Sequence, residues 1–202
     1  MFAIVVASQL AFWIGLSLAA QRYPSEYDWR FMTISSLLYP DRDPGGHALA
    51  QCGVVLSGLA GLAWALMLAG RHPRDADASA SSAPWILAIG YALMAFAAAV
   101  PLGIAHIRKS HEILSVAAFL AICAGLAQSR FLAAIAVTPV VLAAVSQAYV
   151  HWALPQLPWV SLLWRTRGIP AYLSFAFWQG IACAVFTLLA LGIASRRTLY
   201  FR

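Results

Sequence analysis

The chain has 202 residues, of which 62% are apolar and only 10% charged, with a mean hydropathy of +0.78. A soluble domain carries about a quarter charged residues, so this composition excludes a water-soluble fold and makes the bilayer the solvent. The formal charge of +6 does not point to nucleic acid: the basic residues are scattered over the ends of apolar runs, where arginine meets lipid phosphates, and form no stripe.

A spanning helix needs ~20 mostly apolar residues, and six stretches qualify, at roughly 2–20, 48–70, 84–105, 111–128, 131–154 and 170–195. With their connections they fill residues 1–202, which predicts one all-α membrane domain, a six-transmembrane-helix bundle. The polar loop 21–47 is long enough to be functional. In it Ser25 is placed to cap a short interfacial helix through Tyr27, Trp29, Phe31, Ile34 and Leu38. Asp41-Arg42-Asp43-Pro44-Gly45-Gly46 then turns the chain into the second span. Residues 71–83 read as a small-residue linker. Ser110 offers a cap for the fourth span, with Glu112 in its first turn, and Thr138-Pro139 predicts a kink in the fifth. Trp159 and Trp164 beside Arg165 and Arg167 read as a membrane-surface anchor. Cys52, Cys123 and Cys183 lie within apolar spans without paired spacing, so no disulfide is expected.

The polar residues converge on one face. Of five histidines, His47 should open the second span, His106 close the third, His111 open the fourth and His151 lie near the end of the fifth. Gln51, Ser115 and Gln147 are each four positions from one of these, on the same helix face, and Ser174 and Gln179 enter from the sixth span. Polar side chains inside a bilayer turn towards the bundle or a wet cavity. The pattern therefore predicts a polar cavity opening towards the face that carries the long loop, with Gln51, Ser115 and Gln147 pointing inward.

Several chemistries fit such a cavity. The histidines can simply sit among headgroups while Gln and Ser bond helix to helix. His47, His111 and His151 could hold zinc with a nearby carboxylate, making a metal-dependent lipid hydrolase with Glu112 or Ser115 as candidate catalytic groups. His47 and His151 could instead flank a haem. Arg30, Arg108, Arg165 and Arg167 share this face, and a guanidinium forks onto phosphate. With Gln51 and Gln147 they make a membrane-lipid headgroup the favoured ligand. An accessory subunit docking other membrane subunits through Trp- and Gly-rich helix faces is a further alternative.

Tyr27-Asp28-Trp29-Arg30, Ile34-Ser35-Ser36-Leu37 and Asp43-Pro44-Gly45-Gly46-His47, followed by a helix carrying Gly53, Gly58 and Gly61, resemble the DRAM-like and Frag-type group of six-helix membrane proteins. The resemblance implies a cell-membrane (in bacteria, inner-membrane) protein with both termini in the cytoplasm and the polar face outside. Some members are linked to lipid or lipid-anchor remodelling, and the resemblance brings no catalytic residues. The basic residues divide almost evenly between the two sides and do not set the orientation themselves. A cysteine introduced at Ser79 should accordingly resist impermeant thiol reagents applied to intact cells; labelling there would reverse the topology.

Overall fold

The computed structural model describes residues 1–71, 78–100, 105–153 and 170–199, with the backbone alone for 78–81, 105–108, 151, 153 and 197–199. Every regular element among the described residues is helical, and six helices are long and apolar enough to cross a membrane. They are α1 (Phe2–Arg22), α2 (His47–Ala69), α3 (Ala78–Ala99), α4 (Ala105–Leu126), α5 (Arg130–Ala148) and α6 (Phe175–Leu199). The predicted fold class stands, and five boundaries move. The helix α3 winds back through Pro84 to Ala78 instead of starting at the proline. It ends at Ala99, two residues before Pro101, where the ring can no longer join a helical ladder. The next helix begins at Ala105, so His106 belongs to the first turn of α4, and Ser110 is an interior residue, not a cap. Beyond Ala148, α5 loosens into a π-helical turn, Tyr149–Ala153. The final span starts at Phe175, after a 3-10 turn over Ala171–Leu173.

Consecutive helices are seamed by small residues, as expected where lipid offers no hydrophobic drive for helices to associate. At the α1–α2 crossing, a Cβ on Gly53 would stand 2.7 Å from the Ala11 carbonyl oxygen and 2.8 Å from the Gly15 Cα. Only hydrogen on both residues lets the backbones touch. Gly125 of α4 meets the α3 backbone at Leu87 in the same way, 2.8 Å from its Cα. The last helix is different: nothing lies within 4 Å of a Cβ built on Gly180 or Gly192. It packs on α5 and closes the ring by leaning against α1 and α4.

The loop between α1 and α2 is not the interfacial helix its apolar spacing suggests. Its only regular element is a 3-10 turn, Ile34–Leu37. Local side-chain bonds compete with the helix and prevail. Asp28 accepts the Arg30 backbone N–H at 2.9 Å, and the Tyr27 hydroxyl reaches the carbonyls of Met32 (2.9 Å) and Thr33 (2.8 Å). Burial of the Tyr27 ring, reinforced by nearby Tyr23, raises its phenol pKa well above the usual value, so it is a permanent donor. The loop thus folds into a compact knot whose Ile34, Leu37, Leu38 and Tyr39 are buried with Leu16, Ala19 and Ala50 at the end of the bundle.

The seams predict a contrast. Gly53→Val should destabilise the protein by about 1–3 kcal/mol or more through overpacking. Gly180→Ala should be neutral or stabilising by up to ~1 kcal/mol through helix propensity. Thermal unfolding in one detergent reads both.

Candidate functional site

The ring formed by α1, α2, α3, α4 and α6 borders a partly open cavity of about 120 Å³, to which α5 contributes no wall. That is roughly tenfold the ~10–15 Å³ a single water requires. Phe12, Val54, Met94, Phe119 and Phe186 make its walls largely apolar, and Ile34, Ser35 and Leu38 of the loop knot line its loop-side end. The Ile34 backbone N–H, freed at the start of the 3-10 turn, donates to Gln179 Oε1 of α6 at 3.0 Å. This bond ties the plug to the ring.

A layer of polar side chains borders the cavity deep in the bundle. Trp13 Nε1 donates to Thr187 Oγ1 (3.0 Å), whose own proton is shared between Gln9 Oε1 (2.7 Å) and the Cys183 carbonyl (2.9 Å). Tyr91 lines the cavity with Gln9, and Ser8 donates to the Ser57 carbonyl at 2.9 Å. At ~1.5 Å per residue, Ser57, Tyr91 and Thr187 lie roughly 12–18 Å in from the loop-side ends of their helices, near the middle of a ~30 Å core. None of these residues was nominated from the sequence. The signal was there: Ser8-Gln9 and Thr187 are polar residues inside apolar runs, which inside a membrane mark a bundle-facing position.

His111 is the best placed of the predicted residues. Because α4 starts at Ala105, His111 lies about 9 Å along its helix, not at the rim, and is 1% exposed. Its Nδ1 lies 2.8 Å from the Ala97 carbonyl of α3, which can only accept, so Nδ1 carries the proton and Nε2 is bare. The Ser115 hydroxyl sits 3.4 Å from Nε2, and the Tyr39 ring packs edgewise at 5.7 Å. Ser115 also lines the cavity.

The other nominated residues do not join this group. His47 is half-buried, its Nδ1 3.0 Å from the carbonyl of Asp43 in the turn that precedes α2. Gln51 turns inward, but its amide donates to the Leu38 carbonyl at 3.4 Å and so holds the plug. Gln147 corrects the prediction: it is exposed, and Ser146 takes the inward position on α5. Glu112 is also exposed. Arg30 is exposed, and its guanidinium fork is taken by Asp28, with Nε 2.9 Å from Oδ1 and Nη2 2.8 Å from Oδ2. These bonds hold the Asp28 carboxyl below its ordinary pKa. The side chains of Arg108 and His151, and all of Arg165 and Arg167, lie outside the described residues. Among the described residues no three His, Cys, Asp or Glu side chains come together as metal ligands. The three cysteines are free thiols.

Asp43, a turn residue and one of the carboxylates the sequence offered beside the histidines, is fully buried. Its Oδ1 accepts the Gly46 N–H at 2.9 Å, and Oδ2 has no hydrogen-bond partner. Burial raises its pKa above the ordinary 3.8, against the opposing pull of the Gly46 bond and His47. Gly46 is itself pressed against Asp43 and the Ala19 backbone, so this carboxyl anchors the start of α2 against the end of α1.

No protein family, curated protein or solved structure matches this chain, and the site is read from its own chemistry.

The folded protein holds the Asp43 proton more tightly than the unfolded chain does. It should therefore gain stability below the ordinary carboxylate range and lose it as pH rises through the elevated pKa. In thermal unfolding against pH, Asp43→Asn should flatten that slope while keeping the Gly46 bond. Asp43→Ala should lose about 1 kcal/mol with the Gly46 bond.

Proposed function

We propose that this membrane protein binds an amphiphile of the bilayer inside the bundle, with a chain segment in the cavity and the polar group directed towards the loop face. The observation that carries this reading is the cavity itself. An empty apolar void of this size would forfeit the dispersion contacts of its lining atoms, and walls of this kind hold water poorly. A hydrocarbon segment restores those contacts, and Gln9, Thr187, Ser115 and Gln179 supply a few fixed polar partners, the usual make-up of a small-molecule site.

This reading keeps the expectation of lipid recognition and moves its centre. The arginine-rimmed headgroup site at the membrane surface becomes secondary, since Arg30 is already engaged by Asp28. The proposal carries with it the resemblance to the DRAM-like and Frag-type group, with its links to lipid remodelling, and cytoplasmic termini.

Filling the cavity tests it. Ala118 is 3% exposed and lines the cavity wall. Ala118→Phe should lower the lipid that co-purifies with the protein on the order of tenfold, about 1.4 kcal/mol of affinity, measured by native mass spectrometry against wild type. An unchanged lipid content would overturn the proposal.

A further inference from the structure

Ser115 forms part of the cavity wall, and His111 stands behind it, out of contact with the cavity. The order is cavity, hydroxyl, imidazole, backbone acceptor. The Ala97 carbonyl fixes the ring in the Nδ1–H tautomer, which leaves the basic Nε2 lone pair aimed at the serine oxygen, 3.4 Å away. A serine in a helix ordinarily turns its hydroxyl onto the carbonyl four residues back; here the contact is to the imidazole. Nucleophile, base and a third group orienting the base are the parts by which serine nucleophiles are recognised. A neutral carbonyl takes the place of the usual carboxylate, and Glu112, though adjacent in sequence, points outward.

From this geometry we infer that Ser115 and His111 form a nucleophile–base pair that transfers the acyl group of an ester-linked amphiphile. The inference rests on the cavity being an amphiphile site. In the first step Ser115 Oγ bonds to the ester carbonyl carbon while its proton passes to His111 Nε2. The carbonyl electron pair moves onto oxygen, and collapse of the tetrahedral species breaks the bond to the alcohol, which leaves with the proton from Nε2. In the second step water attacks the acyl-serine with its proton taken by Nε2, and the carboxylic acid leaves as that proton returns to Oγ. Gln179 lines the same cavity. Its Oε1 is committed to Ile34, which leaves its NH₂ as a donor for the developing oxyanion.

The test treats purified wild-type protein in detergent with an alkyl fluorophosphonate and maps the product by tandem mass spectrometry. One phosphonyl group should appear on Ser115 with loss of fluoride. Ser115→Ala should abolish it. His111→Gln should slow it on the order of 10²-fold, the usual share of a general base, while co-purifying lipid is retained. Ser115→Cys keeps the packing and gives a second readout. Alkylation of that thiol by iodoacetamide should show a midpoint below the ordinary ~8.5, restored when His111→Gln is added. Bound lipid with no adduct on Ser115, or an adduct formed equally fast in His111→Gln, overturns acyl transfer and leaves amphiphile binding standing. Lipid content unchanged by Ala118→Phe overturns the binding on which the inference depends.

Discussion

At the crossing of α1 and α2, Gly15 and Gly53 bring two backbones into contact, and most of the molecule's organisation follows from that contact. Helices held this close converge at their loop-side ends, where Gly46 is pressed onto the Ala19 backbone. The long connection between Arg22 and His47 is therefore not needed to span distance. Its apolar residues must be buried somewhere, and the nearest uncovered surface is the end of the bundle. The loop folds over it, closed by the Tyr27 hydroxyl and by the fully buried Asp43. A bulkier seam would splay the helices and leave the plug without a seat.

The same economy of small residues does not extend around the ring. The helices α1 to α4 approach one another through glycine and alanine, whereas α6 presents Phe186, Gln179 and Thr187 to the interior and touches α1 and α4 more loosely. Tight packing on one side and bulk on the other leave a central void. Polar groups collect along it because a polar side chain facing lipid has no partner, while one facing the void can bond its neighbours. The site thus arises from uneven packing, and its chemistry follows from which polar residues had no better place to go.

The six spans were legible because bilayer thickness imposes a length and a composition that few other constraints mimic. Their ends were less so. Pro84 reads as a start signal but lies inside α3, and the early start of α4 carries His111 inward from the rim where a start at His111 itself would leave it. The loop misled for a different reason. The spacing of Tyr27, Phe31, Ile34 and Leu38 suits a helix, but the bonds of Tyr27 and Asp28 to nearby backbone groups cannot be foreseen from periodicity. At the site, the four-residue spacing of His111 and Ser115 was informative because both lie on one helix and fixed geometry joins them. Gln147 carried the same spacing and failed, since spacing relates residues within a helix but does not say which side of that helix faces the bundle. Gln9, Tyr91 and Thr187 meet only through the packing of three helices far apart in sequence.

That α5 supplies no part of the cavity wall while α6 does bears on how the protein is made. Helices enter the membrane in order, and the first four form a partial ring with one side open. Until the last of the six docks, the future interior faces the hydrocarbon of the bilayer, and Gln9 and Trp13 lack their partner Thr187. Docking of the last helix therefore completes the cavity wall and the bonds of Thr187 to Gln9 and Trp13 in a single step.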